Sequence, residues 1–502
     1  MANYIAAVEV DQIQKFIFSS DTLQEILGAA NFVNDMVVIT EEVVEKYKDV
    51  EVFWPVSGVP KLRATDLQTL SRCLWKIKEE ISSRGISVTF AIQEESPTFS
   101  KALLFLEKKI RRLKDSKTGV SATPECPFMA RCLIQPELPA NHWRPGESSR
   151  RRLVSDKSYC HRTANQNSKF MKDFKVNNLE MPRKIEDLVA DKNDSYIAFI
   201  KADGDGMGKV LASLEFADHE KAKEFSTAVK GCIDDSVKEA MRKTLDIHSN
   251  IELTHSPFLP LLIGGEDIWI LTRKDMALTL VKELGTLYER KAEHNDILSA
   301  VLTKVDLKGK EKFSLSFGIL FALKGFPFDA QYNLVNELVK SAKKRRKGLP
   351  SENIEGCVDF FKYQSSGRES IASAREKGYG IKDNKLIFKL FTAPWTISEL
   401  KEMLDAKKNL YSISRKKLYQ LNTILRLGDK ASQLAYNKWW LSLTTDEQIK
   451  INETLKAVPE AYRLIFERDE ATNTPMPLDP WSKGESEQRI TPLLDLVELL
   501  EI

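Results

Sequence analysis

Nothing in these 502 residues is apolar for long enough to cross a bilayer. The N-terminus also lacks the charged-then-apolar order of a signal peptide. A membrane partner is therefore not expected, and the cytosol is the expected compartment. Cysteine is scarce: six residues scattered over the chain do not make a disulfide framework. Charge of one sign is lacking too. With 75 Lys and Arg against 72 Asp and Glu, a net charge of +3 excludes a chain that coats nucleic acid by bulk charge alone. The cations are instead clustered, in Lys108-Lys109-Ile110-Arg111-Arg112, Arg150-Arg151-Arg152, Lys343-Lys344-Arg345-Arg346-Lys347 and Arg415-Lys416-Lys417. Hydrophobic residues at 42% and charged residues at 29% are ordinary for globular protein, and the length suits about three domains.

Periodicity divides the chain into elements. An apolar strand from Tyr4 to Val10 precedes helical spacing from Ile13 to about Tyr47. A hairpin pairs Glu51–Val56 with Lys61–Thr65 around Ser57-Gly58-Val59-Pro60. A helix over Asp66–Ser82, a strand over Ile86–Ile92 and a basic amphipathic helix over Ser100–Lys117 follow. From Gly119 to Pro182 the chain is rich in Pro, Ser, Asn and Arg with little periodicity, which predicts an irregular insert. The first order then repeats: strand Tyr196–Ala202, helix Lys221–Leu245, a hairpin around Gly264-Gly265, helix Met276–Lys291, strand Phe313–Ala322, helix Ala330–Arg345 and strand Cys357–Tyr363. A β-α-β-β-α-β order is the ferredoxin-like plan. Tyr-Ile-Ala begins both units, at Tyr4 and Tyr196, and an aspartate, Asp11 or Asp203, stands at the same interval beyond each. Element order and shared residues together indicate an internal duplication. From Pro394 onward the pattern is helical, opened by the capping box Thr396-Ile397-Ser398-Glu399, with helices over Leu410–Leu425, Lys430–Leu443 and Thr445–Ala457 and a last one from Thr491-Pro492.

The expected class is α+β, with two ferredoxin-like domains in tandem. Residues 1–118 form a degenerate first copy, 119–185 the insert, 186–393 a chemically equipped second copy and 394–502 a helical domain.

Chemistry concentrates in two segments of the second copy, Ala202-Asp203-Gly204-Asp205-Gly206-Met207-Gly208 and Gly264-Gly265-Glu266-Asp267. Each is an apolar strand ending in glycines and acids. Side by side they would gather Asp203, Glu266 and Asp267 at one sheet end, where three carboxylates repel one another unless a cation lies between them. Two Mg²⁺ or Mn²⁺ ions there would activate a hydroxyl and neutralise a triphosphate, the plan of a two-metal nucleotidyltransferase. Gly206, Gly208, Gly264 and Gly265 would let backbone approach phosphate, and Lys343 and Lys347 would supply charge at the end of their helix. The corresponding hairpin of the first copy, Ser57-Gly58-Val59-Pro60, carries no acid. Asp205 reads equally as an outer-shell group or a turn residue.

These residues resemble the large polymerase/cyclase subunit of type III CRISPR effector complexes over essentially the whole chain. Ile13-Gln14-Lys15-Phe16-Ile17-Phe18 and Ile26-Leu27-Gly28-Ala29-Ala30-Asn31-Phe32 resemble the opening of that family's first palm domain. Asp203-Gly204-Asp205-Gly206, Leu315-Ser316-Phe317-Gly318 and Val358-Asp359-Phe360-Phe361 resemble its second palm. Gly264-Gly265-Glu266-Asp267 stands where the family has Gly-Gly-Asp-Asp; Glu266 keeps the charge, so activity is expected to survive. The resemblance implies that Asp203, the Gly204 carbonyl, Glu266 and Asp267 hold metal. It further implies that Ser316 helps bind nucleotide, and that ATP is joined by 3′–5′ linkages into cyclic oligoadenylates. These diffusible messengers act on downstream effectors in antiviral defence. Guide and target RNA and other type III effector subunits are the implied partners. No His-Asp dipeptide occurs, so the nuclease domain carried by many members is not expected. Where members have a four-cysteine zinc element, this chain keeps only one Cys of each expected pair, so a structural Zn²⁺ through Cys126, Cys132, Cys160 and His161 is an open alternative rather than the expectation. Two other readings use the same residues: a catalytically silent RNA-binding scaffold, and a related cyclic nucleotide or dinucleotide synthase acting alone, such as a diguanylate-cyclase-like enzyme using GTP.

Overall fold

A computed structural model describes residues 3–20, 22–96, 98–116, 130–133, 139–145, 151–164, 168–190, 195–207, 210–211, 216, 218–304, 312–350, 353–364, 369–383, 386–464, 466–468, 475–477, 480–483 and 488–502. It falls into two units, one of residues 1–315, 322–333 and 350–354 and one of residues 316–321, 334–349 and 355–502.

The first unit opens with β1 (Tyr4–Val10), α1 (Ile13–Ile17), α2 (Leu23–Val44), β2 (Val50–Trp54), β3 (Lys61–Ala64), α3 (Leu67–Ser82), β4 (Val88–Glu94) and α4 (Phe99–Ser116). The strands form an antiparallel sheet in the order β2-β3-β1-β4, the ferredoxin-like arrangement that the element order predicts. Helix α3 shows why the sequence folds this way. Leu70, Cys73, Leu74, Ile77 and Ile81 recur at helical spacing and are all buried, while the Asp66 carboxylate caps the helix by accepting from the Thr69 N–H at 2.7 Å. The expected single helix from Ile13 is broken in two. Ser19 donates back to the Phe16 carbonyl at 2.8 Å, a side-chain bond that competes with helix continuation.

The stretch expected to be irregular holds more structure than its pattern shows. It contains a hairpin of β5 (His142–Pro145) and β6 (Arg151–Val154), then α5 (Asp156–Ala164) and α6 (Lys169–Asp173). Such short helices are marginal alone, and α5 takes its stability from α2. Ser158 donates to the buried Glu25 carboxylate at 2.7 Å, and a Cβ at Gly28 would overlap the His161 carbonyl oxygen.

The same order then recurs in β7 (Tyr196–Gly204), α7 (His219–Ile247), β8 (Phe258–Gly264), β9 (Asp267–Arg273) and α8 (Lys274–Glu293), with α9 (Asp296–Lys304) added. Strands β8, β9 and β7 pair antiparallel in that order, matching β2, β3 and β1. In chain order β10 (Leu315–Leu323) and α10 (Phe328–Lys347) follow.

Within the second unit β10 runs parallel to β11 (Cys357–Lys362). Gly318 is a glycine because α10 crosses close over it: a Cβ there would lie 2.6 Å from the Val335 carbonyl oxygen. Then come α11 (Ile371–Tyr379), β12 (Gly380–Asp383), β13 (Leu386–Lys389), β14 (Trp395–Thr396), α12 (Ile397–Lys408), α13 (Arg415–Ile424), α14 (Asp429–Leu441) and α15 (Thr445–Ala457). The expected capping box is formed: Thr396 and Glu399 each satisfy the other's backbone N–H, at 3.1 and 2.8 Å. A small sheet, in which β13 pairs with residues 488–490, departs from the all-helical expectation before α16 (Leu493–Glu501). Among the described residues no helix is long and apolar enough to cross a membrane.

Candidate active site

Strand β7 is buried on both faces until its last turn, so its acids emerge only at the end. There Asp203 stands directly opposite Asp267 of β9, and the next N–H, that of Gly204, donates to the Glu266 carbonyl at 3.1 Å. The two acidic segments found in the sequence are thus joined by the sheet ladder itself. Gly265 and Glu266 form the two-residue turn between Gly264 and Asp267. Only the glycine of that pair takes positive φ, +61°, as a type II′ hairpin requires of its first central residue.

Gly204 is required for a different reason. A Cβ on it would lie 2.7 Å from the Glu266 Cβ and 2.9 Å from Glu266 Oε2, so the Glu266 side chain lies over the Gly204 backbone. Gly206, at φ +72°, turns the chain away. Asp205 points back into the protein: its N–H donates to the Ser314 carbonyl at 2.9 Å, and Ser314 Oγ donates to its carboxylate at 2.9 Å. At 5% exposure it ties the turn to the start of β10.

Lys201, absent from the sequence-level site, places a cation beside it. It lies two residues before Asp203 and therefore on the same face of the strand. Its ammonium is 3.6 Å from Asp267 Oδ1, donates to the Tyr332 hydroxyl at 3.2 Å and lies over the Trp269 and Tyr332 rings. Trp269 Nε1 donates to Asp267 at 2.9 Å. Surrounding protein raises the Asp267 pKa above the usual carboxylate range. The loss of solvation outweighs the opposing pull of Lys201, although 38% of the side chain still meets solvent. The signal in the sequence was the Lys201-x-Asp203 spacing, which periodicity alone does not distinguish from a solvated lysine.

Backbone pairing corrects the alignment of the two copies. The Asp11 N–H donates to the Ser87 carbonyl at 2.8 Å, and the Ser87 hydroxyl donates to the Asp11 carboxylate at 2.6 Å. These are the bonds that Asp205 makes with Ser314. Likewise Val10 donates to the Gly58 carbonyl at 3.0 Å, as Gly204 does to that of Glu266. Asp11 is therefore the counterpart of Asp205 rather than of Asp203, Glu9 takes the place of Asp203, and Gly58 and Val59 stand where the second copy has Glu266 and Asp267. The tyrosine interval misled because a two-residue slip keeps every side chain on its face.

The hairpin tips of the two copies meet. A Cβ at Gly264 would lie 3.2 Å from the Ser57 Cβ, and one at Gly265 would lie 3.1 Å from Val56 Cγ1. Close packing between the copies is thus a constraint on these glycines beside the nucleotide contact that the sequence suggests.

Gly208 and Cys126 lie outside the described residues. Ser316, Lys343 and Lys347 belong to the second unit, where Ser316 is fully buried, Lys343 half-buried and Lys347 exposed. Of the suggested zinc ligands, Cys132 is buried and Cys160 half-buried. His161 packs edge-on against Phe16 and Phe32, its ring centroid 4.9 and 5.9 Å from theirs, and burial drives its pKa down to about 3, leaving a neutral imidazole in an apolar shell. Among the described residues no three His, Cys, Asp or Glu side chains are grouped closely enough to hold a metal ion as they stand.

Residues 196–349 match the family model for the second palm domain of Cas10/Cmr2. The fold resembles a chain of a Csm1–Csm4 cassette in complex with AMPPNP, with a TM-score of 0.51 and 12% identity over 99% of this chain and 69% of that one. It also resembles a chain of the cassette in complex with cA3, with a TM-score of 0.50 and 13% identity over 91% and 70%. No curated protein matches. At these identities the structural likeness is one of fold.

Proposed function

We propose that this Cas10-like chain is a nucleotidyltransferase that joins ATP by 3′–5′ linkages into cyclic oligoadenylates. One observation carries the reading: within a Cas10/Cmr2-type palm, the ladder sets Asp203 opposite Asp267 and brings Glu266 over Gly204. The donors fit Mg²⁺ or Mn²⁺, since carboxylate and carbonyl oxygens are the ligands hard cations take, and the buried Glu266 Oε2 lies against the Gly204 backbone, next to the ladder pair Asp203–Asp267. Asp203, the Gly204 carbonyl and Glu266 would hold the ion, with Asp267 completing the acidic end. When bound, it would lower the pKa of a 3′-hydroxyl and offset phosphate charge.

The residues of the chain then orient the reaction. Gly206 leaves room for phosphate beside the backbone. A 3′-oxygen attacks an α-phosphorus, its proton leaves to solvent or a carboxylate, and pyrophosphate departs. When the 3′-oxygen of the last residue attacks the first α-phosphorus, a second kind of displacement closes the ring and again releases pyrophosphate. The fold shared with chains of Csm1–Csm4 cassettes supports assembly with other effector subunits, and the proposal extends to regulation of the site by RNA.

The test is incubation with Mg²⁺ or Mn²⁺ and each nucleoside triphosphate, with and without RNA, with products identified by mass. Cyclic oligoadenylate from the wild-type chain and none from Asp203→Ala is the expected result. Tight RNA binding with no product under any condition would instead mark a scaffold.

A further inference from the structure

The first palm contains a cation of its own. Lys114, in the last turn of α4, donates to Glu9 Oε2 at 3.0 Å and to the Val10 carbonyl oxygen at 3.0 Å. By the backbone pairing, Glu9 is the counterpart of Asp203 and Val10 that of Gly204. The ammonium therefore bridges the carboxylate and the carbonyl that correspond to two of the oxygens assigned to the metal in the second palm. A plain Lys–Glu pair this exposed, at 30% and 20%, is common and worth little. The added bond to this carbonyl sets it apart.

Other features of the first palm agree. Asp11 has both carboxylate oxygens engaged, by Ser87 and Thr89 at 2.6 Å each, so it is not poised to help Glu9 hold an ion. Gly58 and Val59 contribute no acid from the hairpin tip.

We propose that Lys114 is a tethered substitute for the divalent ion in the first palm, closing that palm to metal and leaving nucleotidyl transfer to the second. The inference rests on the metal assignment made for Asp203, Gly204 and Glu266. The ammonium already supplies positive charge to the Glu9 carboxylate and the Val10 carbonyl, where a divalent ion would otherwise have to sit.

The test is Mn²⁺ binding by the full chain, read from the free-ion electron paramagnetic resonance signal, in a parent carrying Asp203→Asn and Glu266→Gln. That parent is expected to leave Mn²⁺ free. Adding Lys114→Met should create one site per chain, at least fivefold tighter than any residual binding, and adding Glu9→Gln as well should remove it. Should Lys114→Met fail to fold by circular dichroism, Lys114→Gln takes its place, keeping a donor for the Val10 carbonyl while removing the charge. A folded Lys114 variant that binds no more Mn²⁺ than the parent would overturn the proposal, as would Glu9-dependent binding by the parent. Wild-type binding that survives Asp203→Asn and Glu266→Gln would count against the second-palm site alone, because the Lys114 comparison is made between chains with identical second palms.

Discussion

Gly204 and Glu266 are coupled through a single missing carbon. A Cβ at Gly204 would lie 2.7 Å from the Glu266 Cβ, so Gly204→Ala must push the glutamate off the strand end. Gly204→Ala is expected to lower cyclic product formation about as far as Glu266→Gln, on the order of 100-fold, the usual loss for one preorganised electrostatic group. Gly204 is buried, so the variant should also melt at a lower temperature, and activity is compared per folded chain. Lys201 carries a different prediction. Lys201→Met leaves Asp267 without its nearest countercharge and should cost about 1–2 kcal/mol in urea denaturation, less than a fully buried pair because Asp267 is partly solvated. The acids themselves were legible, as strand ends rich in glycine and carboxylate. Lys201, Ser314 and Glu9 were not, because each gains its meaning from a partner on another element.

Helix α2 depends on a glycine that helical propensity alone would disfavour. Gly28→Ala drives a Cβ into the His161 carbonyl, backbone against side chain with little room to yield, and is expected to destabilise the chain by about 2–3 kcal/mol in denaturant titration. Helix α16 carries a pH dependence of its own. Burial raises the Asp495 pKa well above the usual carboxylate range, despite the bonds from Thr392 N at 2.6 Å and Oγ1 at 2.7 Å and the pull of Arg375. Burial lifts Glu498 to about 7, against Tyr379, Lys362 and Arg375, with Glu501 adding repulsion. The folded helix thus binds more protons than the unfolded chain between the ordinary carboxylate range and about pH 7, so its stability falls as pH rises through that window. Hydrogen exchange corrected for intrinsic rate should show residues 493–501 about tenfold less protected at pH 7.5 than at pH 5.5, with Glu498→Gln flattening the difference. Long elements such as α3 and α7 were readable from periodicity. Short ones such as α5 and α6 were not, since packing rather than local pattern holds them.

At the scale of the molecule the duplication is also a contact. Val56 meets Gly265 and Ser57 meets Gly264, while Val56 is the counterpart of Gly264 and Ser57 of Gly265, so the two hairpin tips meet as the halves of a two-fold interface do. Asn34 fastens that contact from α2. Its amide donates to the Leu261 carbonyl at 2.9 Å and its oxygen accepts from the Ile263 N–H at 3.4 Å. Asn34→Ala leaves both backbone groups of β8 unpaired in a buried place and should cost about 1–3 kcal/mol, measured by denaturant titration. By itself the sequence determined the α+β class, the tandem palms, the acidic strand ends and the inequality of the two hairpin tips, because periodicity and turn chemistry are local properties of the chain. Tertiary structure alone decided that Asp11 answers to Asp205, that the glycines of the second hairpin lie against the hairpin of the first copy, and that Lys114 bonds both Glu9 and the Val10 carbonyl. Those facts reside in pairings between residues far apart in the chain, and a strand slipped by two residues presents the same face to any pattern read along it.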